Sequence, residues 1–362
     1  GLKIVERIAS KSLTLPILNN ILISAEKNFL NLAATDLEMG INWWSLAKIE
    51  KEGKVTIPSH LLSGFINLLP NEKISIKSEN NNLSVVCKNS KTQLKGISAE
   101  EFPIIPTIKD GEFININNVI FCQGLKQVSD IPISSTTRPE ISGIYISFKK
   151  NQIVITATDS FRLGEKKITL KTANSLKKEY SLIIPQKTIK EIINIFENKE
   201  GEVKIYFSSN QIMAEYLMPE TSHPQIQVVS RLIDGEYPDY QKIIPEKFST
   251  EVILDKNEFL NQIKSASLFA GKTSEIRIKT KLESKELIVF SQSQEVGEYE
   301  SSLPAKIKGE EKEIVFNHKF LSDGINNIKS SEIILALNGE SGPGVLKPVG
   351  DESYLYVVMP IK

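Results

Sequence analysis

Three stretches of this chain repeat one plan: an apolar segment, a helix-forming segment and a second apolar segment. They read VTIPSHLLSGFINLLPNEKISI at residues 55–76, LIIPQKTIKEIINIFENKEGEVKIYF at 182–207 and IVFNHKFLSDGINNIKSSEIILAL at 314–337. In the middle stretch Ile189, Ile192, Ile193 and Phe196 recur at i, i+3, i+4 and i+7, which places them on one face of a helix. The plan therefore predicts a strand, a helix and a strand in each copy.

Each copy also opens with an amphipathic segment, and short alternating segments lie between its two predicted helices. The opening segments are KIVERIASKS at 3–12, NVIFCQGLKQVSD at 118–130 and NEFLNQIKSAS at 257–267. The repeat is far longer than the units of solenoid proteins, which span about 20–45 residues, so the copies are predicted to be globular domains. We predict an α+β fold of three tandem copies of one domain, each with two helices packed on antiparallel sheets, at residues 1–110, 111–247 and 248–362.

A short phrase at a strand end occurs twice. It reads ATDLEMG at 34–40 and ATDSFRLG at 157–164, and the third copy has FSQSQEVG at 290–297. Asp36 and Asp159 could be imagined as a pair of catalytic carboxylates, but a repeated strand end favours an Asp that stabilises its own turn. Phe161 and Arg162 occupy the part of the phrase where the first copy has Glu38. We expect this difference to mark the functional site.

Composition excludes some classes of protein. Lysine plus arginine equals aspartate plus glutamate at 44 each, which argues against a uniformly basic coat but says nothing of local patches. Cys87 and Cys122 have no CxxC spacing, so reduced thiols are favoured over a disulfide, as in a cytosolic protein. No apolar run approaches the length of a membrane span, and the first residues lack a signal-peptide core. These features lead us to expect a soluble intracellular protein.

Motifs for catalysis or cofactor binding are absent from the sequence. The three histidines, His60, His223 and His318, have no HExxH or other metal-ligand spacing. Neither GxxxxGK[ST] nor GxGxxG occurs, and there is no GxSxG nucleophile motif. We expect no enzyme activity, no metal site and no cofactor.

Five segments together resemble one protein family. They are TLPILNNILI at 14–23, ATDLEM at 34–39, ATDSFRL at 157–163, DGEYPDY at 234–240 and YVVMPIK at 356–362. In this order and spacing they resemble the bacterial DNA sliding clamps, the beta subunits of DNA polymerase III. The resemblance covers essentially the whole chain.

The resemblance implies a fold and a function. Each chain would have three domains of the DNA-clamp fold, and two chains would close head to tail into a ring around duplex DNA. The ring would bind DNA without sequence preference and act as a polymerase processivity factor in the bacterial cytoplasm, associated with the nucleoid during replication. Its partners would be the DNA polymerase III alpha subunit, the clamp loader and other proteins with a clamp-binding motif. Zero net charge suits a ring that slides, because tight phosphate contacts would pin it.

The resemblance also implies a pocket that receives short partner peptides. Such a pocket needs an apolar floor and a few polar groups at its rim. The family commonly has Gly-His where this chain has Ser160-Phe161, and commonly has an arginine at the position of Lys242. The implied pocket residues are Ile141, Thr158, Ser160, Phe161, Arg162, Leu163, Pro238, Lys242, Ile243, Pro343, Val345, Val358, Met359, Pro360 and Ile361.

From the sequence, Arg162 and the last residues of the chain are expected to matter for peptides but not for folding. Replacing Arg162, or deleting 358–362, is expected to weaken peptide binding and leave the melting behaviour nearly intact. The alternative is that Arg162 is an ordinary solvated surface arginine.

Two further sets of residues follow from the resemblance. Phe102 of the first domain is expected to pack near Leu268 and Phe269 of the partner's third domain, although a buried role within one domain is the alternative. The helices are expected to line the hole, although exposed lysines are common on any helix of a chain with 24% charged residues. The candidate DNA-facing residues are Lys3, Arg7, Lys11, Lys126, Arg138, Lys187, Lys264 and Lys319.

A second functional class stays open. The chain could be a clamp-like scaffold that binds replication peptides but does not efficiently encircle DNA. Because a ring of this family requires two chains, the sedimentation behaviour would separate the two classes.

Overall fold

The computed structural model describes residues 1–9, 14–108, 111–170, 176–339 and 341–361. Each of the three copies contains two helices, as the sequence predicts. The helices are α1 (Leu2–Glu6), α2 (Ser59–Leu68), α3 (Asn118–Lys126), α4 (Gln186–Phe196), α5 (Lys256–Ser267) and α6 (His318–Asn326). Single-turn 3-10 helices lie at Pro16–Asn19, Ala99–Glu101, Pro139–Ser142, Tyr240–Ile243 and Gly271–Thr273.

The strands also follow the repeat. In the first copy they are β1 (Asn20–Glu26), β2 (Phe29–Thr35), β3 (Met39–Leu46), β4 (Gly53–Pro58), β5 (Ser75–Glu79), β6 (Asn82–Cys87) and β7 (Ser90–Lys95). In the second copy they are β8 (Phe113–Asn117), β9 (Gly143–Phe148), β10 (Gln152–Thr158), β11 (Arg162–Thr169), β12 (Tyr180–Pro185), β13 (Glu202–Phe207), β14 (Gln211–Leu217) and β15 (Pro224–Arg231). In the third copy they are β16 (Thr250–Asp255), β17 (Glu275–Lys281), β18 (Glu286–Ser293), β19 (Gly297–Pro304), β20 (Lys306–Gly309), β21 (Glu313–Asn317), β22 (Glu332–Leu337), β23 (Gly344–Pro348) and β24 (Tyr354–Val358).

Strand order confirms three copies of one antiparallel plan. The first four strands of the first copy lie in the order β4-β1-β2-β3, and the equivalent strands lie in the orders β12-β9-β10-β11 and β21-β17-β18-β19. The second layer of each copy contains the consecutive neighbours β5-β6-β7, β13-β14-β15 or β22-β23-β24. The prediction of an α+β fold with a threefold internal repeat is therefore confirmed.

Two strand pairings join neighbouring copies into larger sheets. β3 pairs with β15, from Ile226 opposite Trp43 to Ser230 opposite Met39, and this pairing completes an eight-stranded sheet. β11 pairs with β24, from Arg162 opposite Val358 to Lys166 opposite Tyr354, within a nine-stranded sheet. In both cases the third strand of one copy pairs with the last strand of the next copy.

By contacts the chain separates into two compact units. One unit contains Gly1–Cys122, Asn174–Lys177 and Lys190–Leu232, and the other contains Gln123–Ala173, Lys178–Ile189 and Ile233–Lys362. The strands of the middle copy are divided between them, because β8 and β13–β15 belong to the first unit and β9–β12 to the second. The domain boundaries at 110 and 247 stay a prediction.

The start and the buried face of helix α4 both follow from its sequence. It begins directly after Pro185, where the missing amide hydrogen of proline costs nothing. Ile189, Ile192, Ile193 and Phe196 are all buried, as their spacing predicts. Helix α6 begins without a proline, and Asn317 caps it instead, since its Oδ1 accepts a hydrogen bond from the Lys319 amide at 2.9 Å.

The structure also bears on the two cysteines and on possible membrane-spanning helices. Cys87 and Cys122 are both buried, and neither forms a disulfide. Within the described residues, no helix combines the length and the apolar character needed to cross a bilayer.

Candidate functional site

The second phrase forms a tight turn between β10 and β11 that its own polar groups close. Thr158 Oγ1 donates to the Arg162 carbonyl at 2.8 Å and accepts from the Ser160 amide at 3.2 Å. Asp159 Oδ1 accepts from the amides of Phe161 at 3.0 Å and Arg162 at 2.9 Å. Ser160 has φ of 77°, a left-handed conformation that non-glycine residues seldom adopt. This turn, Asp159 to Phe161, is called the second-copy turn below.

The first phrase forms the same turn between β2 and β3. Thr35 Oγ1 donates to the Met39 carbonyl at 2.8 Å, and Asp36 Oδ1 accepts from the amides of Glu38 at 3.1 Å and Met39 at 2.7 Å. Leu37 takes φ of 76°, as Ser160 does. Asp36 and Asp159 therefore stabilise their own turns, as the sequence favoured. The residues that the two phrases share determine the backbone conformation of the turn. A function specific to the second copy must therefore come from the side chains that differ.

Arg162 is the most constrained of those differing side chains. It is only 8% exposed, and it occupies the position at which the first copy has the buried Met39. Its Nε donates to Asp159 Oδ2 at 2.9 Å, and its Nη1 donates to Asp323 Oδ2 of α6 at 2.5 Å. Its Cζ lies 4.7 Å from the centroid of the Phe320 ring. A buried charge needs such partners, because an unpaired charge in this position would be strongly destabilising.

These contacts decide the protonation of Arg162. Burial alone would lower its pKa, but the Tyr356 hydroxyl, Asp159 and Asp323 outweigh burial and raise the pKa above its ordinary value. The side chain is therefore a permanent cation. The premise that Arg162 is separate from the core is wrong, because the guanidinium is buried and joins the second-copy turn to α6. We therefore expect its replacement to lower stability.

The strands beside the turn form an apolar face. Leu163 of β11 lies opposite Val357 of β24, and Val357 lies opposite Val345 of β23. Residues paired across antiparallel strands point to the same side, so these three side chains share one face of the sheet. Together with Tyr240 and Ala336 they form a buried cluster. Packed against this cluster are the partly buried Tyr145, Tyr237, Ile244, Phe248, Ile334 and Leu355.

Val358 lies on the opposite face of the sheet from Leu163. It pairs with Arg162 and Gly344, and a Cβ at Gly344 would come within 3.5 Å of the Val358 side chain. The residue that continues the apolar face is thus Val357, which the sequence analysis missed. The alternation of side chains along a strand, counted from Leu163, would have identified it.

The end of the chain is tied to the second-copy turn. The Met359 amide donates to the Phe161 carbonyl at 2.9 Å, and the Ile361 amide donates to the Val315 carbonyl of β21 at 2.9 Å. Met359 is therefore tied to the turn and Ile361 to β21, and the side chains of residues 359–361 are half-buried.

The residues implied by the resemblance differ in exposure. Buried are Ile141, Thr158, Arg162, Leu163, Val345 and Val358. Half-buried are Pro238, Pro343, Met359, Pro360 and Ile361. Exposed are Ser160, Phe161, Lys242 and Ile243. The exposed members give a partly apolar surface, in which Phe161 and Ile243 are the large side chains open to solvent.

Arg138, a candidate DNA-facing residue, lies beside the second-copy turn. It precedes the single turn Pro139–Ser142, and its Nη1 donates to the Ser160 hydroxyl at 3.3 Å. It also pairs with Glu140, with 3.3 Å between Nε and Oε1. Arg138 is therefore a half-exposed cation beside the second-copy turn, and its assignment as a DNA-facing residue stays a prediction.

Tyr240 supports the apolar face from the segment DGEYPDY. Its hydroxyl donates to the buried carboxylate of Glu165 at 2.6 Å, and Lys167 Nζ lies 3.1 Å from the other oxygen of Glu165. Burial first, and then the Glu165 contact, raise the pKa of Tyr240 above its ordinary value, so the hydroxyl stays protonated and donates. The ring of Tyr237 stacks on that of Tyr145 with 4.9 Å between centroids. Tyr240 thus ties this face to the polar pair of Glu165 and Lys167.

The remaining candidate DNA-facing residues that the structure describes lie on helices or directly beside them. Arg7 is not a free cation, because its Nε lies 2.6 Å from Glu191 Oε2 of α4. Lys11 is outside the described residues. The other exposed candidates are Lys3 of α1, Lys126 of α3, Lys187 of α4, Lys264 of α5 and Lys319 of α6.

The residues expected at a dimer contact fall into two groups. Phe102 is buried with Ile17 and Leu18 in its own copy, so it offers little free surface. Leu268, directly after α5, is 72% exposed, and the half-buried Phe269 stacks on Tyr299 of β19 with 5.7 Å between centroids. Ile104, which the sequence analysis did not single out, is 94% exposed two residues after Phe102. The exposed apolar residues near the expected contact are thus Leu268 in the third copy and Ile104 in the first copy.

The polar groups at the second-copy turn are engaged with one another. Across the parts of the chain that the structure describes, no group of His, Cys, Asp and Glu side chains could hold a metal ion. The carboxylates at the second-copy turn are occupied by amides and by Arg162. What the site offers is an apolar surface beside fixed cations, which suits binding.

The chain is similar to one family of proteins over nearly its entire length. Models of the N-terminal, central and C-terminal domains of the DNA polymerase III beta subunit match residues 1–106, 116–239 and 241–362. The beta sliding clamp of Synechococcus elongatus is 27% identical over 368 residues, covering 100% of this chain and 96% of that protein. That of Staphylococcus aureus is 27% identical over 359 residues, covering 96% and 93%.

Solved structures show the same fold. The DNA polymerase sliding clamp of Bacillus subtilis superposes with a TM-score of 0.93 at 25% identity, covering 100% of this chain and 96% of that one. The beta subunit of Thermotoga maritima superposes with a TM-score of 0.90 at 23% identity and the same coverage. The repeated strand order, the second-copy turn and these matches together show that the chain belongs to the family of bacterial DNA polymerase III beta subunits, the sliding clamps that serve as processivity factors.

Proposed function

We propose that two copies of this chain close head to tail into a ring around duplex DNA and tether the replicative polymerase through the surface beside the second-copy turn. The observation that carries the ring is a pairing rule within the chain. β3 pairs with β15 and β11 pairs with β24, so a third strand always meets a last strand of the next copy. β19 and β7 are the third and last strands left over, and both lie at sheet edges in the described part of the chain.

The two free edges are complementary. β7 presents the exposed cations Lys91 and Lys95, and β19 presents the exposed anions Glu298 and Glu300. An unpaired edge strand is a template for another strand, and opposite charges fix which strand is accepted. Pairing β19 of one chain with β7 of another is a heterologous contact, and such a contact gives a closed ring when its rotation closes. Leu268 and Phe269 on one side and Ile104 on the other supply apolar area beside the strands.

Charge reversal tests this edge pairing. The double variant Lys91→Glu, Lys95→Glu is expected to raise the dimer dissociation constant by about tenfold to a hundredfold, since like charges across an interface cost several kcal/mol. Adding Glu298→Lys and Glu300→Lys to the same chain should restore the dimer. The measurement is sedimentation equilibrium over a concentration series.

A matched control uses the cations of another edge strand. Lys306→Glu with Lys308→Glu on β20 should leave the dimer unchanged. An unaltered dimer in the β7 variant, or no recovery in the fourfold variant, would show that β7 and β19 do not meet.

The helices are proposed to face DNA. Lys3, Lys126, Lys187, Lys264 and Lys319 are exposed cations on five of the six helices, spread over all three copies. Widely spaced cations attract phosphates without reading bases, which is what a sliding contact requires. The proposed division into domains at 1–110, 111–247 and 248–362 places two of the six helices in each domain.

The surface of Phe161, Ile243 and residues 359–361 is proposed to bind partner peptides. Leucine and phenylalanine side chains of a peptide would displace water from this apolar surface, and Arg138 and Lys242 would supply rim cations. The proposed ligands are short segments of the polymerase alpha subunit, the clamp loader and other clamp-binding proteins. No chemistry is required of the site, which is consistent with a protein that acts without catalysis.

Truncation of the chain end tests the peptide site. Removing residues 359–362 should weaken binding of a Gln-Leu-x-Leu-Phe peptide by about 2–4 kcal/mol, the effect of losing one or two hot-spot residues. The cut begins after Val358, because Val358 is buried and strand-paired and its removal would damage the fold. We therefore expect a deletion from 358, unlike one from 359, to lower the melting temperature.

Fluorescence anisotropy with the labelled peptide measures the effect, and thermal unfolding checks that the truncated chain is folded. Unchanged peptide affinity in a folded truncated chain would place the peptide site elsewhere.

A further inference from the structure

The ring of Phe161 is exposed although its backbone is fixed. The side chain is 60% exposed, whereas the Phe161 amide donates to Asp159 and its carbonyl accepts from the Met359 amide. At the equivalent position of the first-copy turn, which has the same hydrogen bonds, the residue is Glu38. The turn itself therefore does not require an aromatic side chain.

Phe161 packs on a second aromatic ring that is held by Arg162. The rings of Phe161 and Phe320 are stacked at 24° with 6.5 Å between centroids. Arg162 contacts the Phe320 ring and is itself anchored to Asp159 and Asp323. A surface whose rings are ordered before binding loses little conformational entropy when a ligand adds to it. We call Phe161 and Phe320 the aromatic step.

We infer that Phe161 is a specificity-determining residue of the proposed peptide site, selecting partner segments that carry an additional aromatic side chain beside their leucine and phenylalanine anchors. This inference rests on the proposed function. Aromatic pairs gain energy beyond the area they bury, while a phenyl ring offers no hydrogen bond to a polar residue. A serine or asparagine of a peptide at this place would lose water and gain no partner.

The test is a peptide panel built on Gln-Leu-x-Leu-Phe. The glutamine, the x position and two flanking residues on each side carry in turn Phe or Ser, and anisotropy gives the affinity of each peptide. For the parent protein we expect at least one position at which Phe binds about tenfold tighter than Ser, corresponding to ~1.4 kcal/mol. In Phe161→Leu, which keeps an apolar side chain but removes the ring, this preference should fall below about twofold.

The controls separate this inference from the proposed function. Phe113→Ser, at another exposed phenylalanine far along the chain, should keep the preference. The serine peptides should bind the parent and Phe161→Leu alike. A panel with no aromatic preference, or a preference that survives in Phe161→Leu, would overturn the inference while peptide binding itself stands. A panel in which no peptide binds the parent protein would overturn the proposed peptide site, and the inference with it.

Discussion

Replacing Leu268 and Phe269 together by alanine is expected to convert the dimer into folded monomers. Leu268 is 72% exposed in the single chain, so its removal should cost the fold little. Burying an exposed leucine or phenylalanine side chain contributes about 1.5–3 kcal/mol, and Phe269 is already half-buried, so the pair would contribute about 2–4 kcal/mol at each interface. A closed ring of two chains has two such interfaces, and each 1.4 kcal/mol lost is about tenfold in affinity.

Sedimentation equilibrium at micromolar protein measures this effect, and far-UV circular dichroism checks the fold. Leu46→Ala serves as the matched control, because Leu46 is also an exposed leucine but lies at the end of β3. It should remain a dimer. If the Leu268→Ala, Phe269→Ala variant also sediments as a dimer at all concentrations, the contact assigned to these residues is wrong.

Arg162→Ala is expected to lower the free energy of unfolding by about 2–4 kcal/mol, because it leaves Asp159 buried without its cation. The second-copy turn carries Phe161, so the same change should weaken peptide binding by roughly 1–3 kcal/mol. Arg162→Met, which installs the residue type of the first copy at Met39, fills the space and should cost about half as much stability as alanine. Urea unfolding followed by circular dichroism, with anisotropy for the peptide, measures both effects.

Lys242→Ala provides the comparison for Arg162. Lys242 pairs with Asp239 at 2.9 Å, but both side chains are largely exposed, so its loss should cost less than about 1 kcal/mol. An Arg162→Ala protein as stable as Lys242→Ala would mean that the contacts of Arg162 with Asp159 and Asp323 do not support the fold.

The sequence predicted the backbone of the site better than its side chains. The threefold plan, the helix face of α4 and the role of Asp159 all depend on local periodicity or on hydrogen bonds within a few residues. Such features can be inferred from residues that are close together in the sequence. The turns at Asp36 and Asp159 have the same hydrogen bonds because the two short segments share the residues that form them.

The side-chain environments depend on residues distant in the chain. From the sequence alone, Arg162 could be an ordinary surface cation. Its partner Asp323 is on α6, and no residue near Arg162 in the sequence predicts that contact. The contact of Arg138 with Ser160 is likewise not evident from the residues near Arg138 in the sequence. Val357 is different: counting the strand alternation from Leu163 would have selected it over Val358.

Release from DNA circles tests the central claim most directly. The labelled protein is loaded onto nicked circular duplex with a clamp loader and ATP, and free protein is removed by gel filtration in about 0.3 M salt, where widely spaced phosphate contacts are weak. A ring should stay on the circle for many minutes and leave within seconds after a restriction enzyme linearises the DNA. The dimer-deficient Leu268→Ala, Phe269→Ala variant should not be retained on either form. Equal retention on circular and linear DNA, or release of the parent protein from intact circles by salt alone, would contradict the account and favour a scaffold that does not encircle DNA.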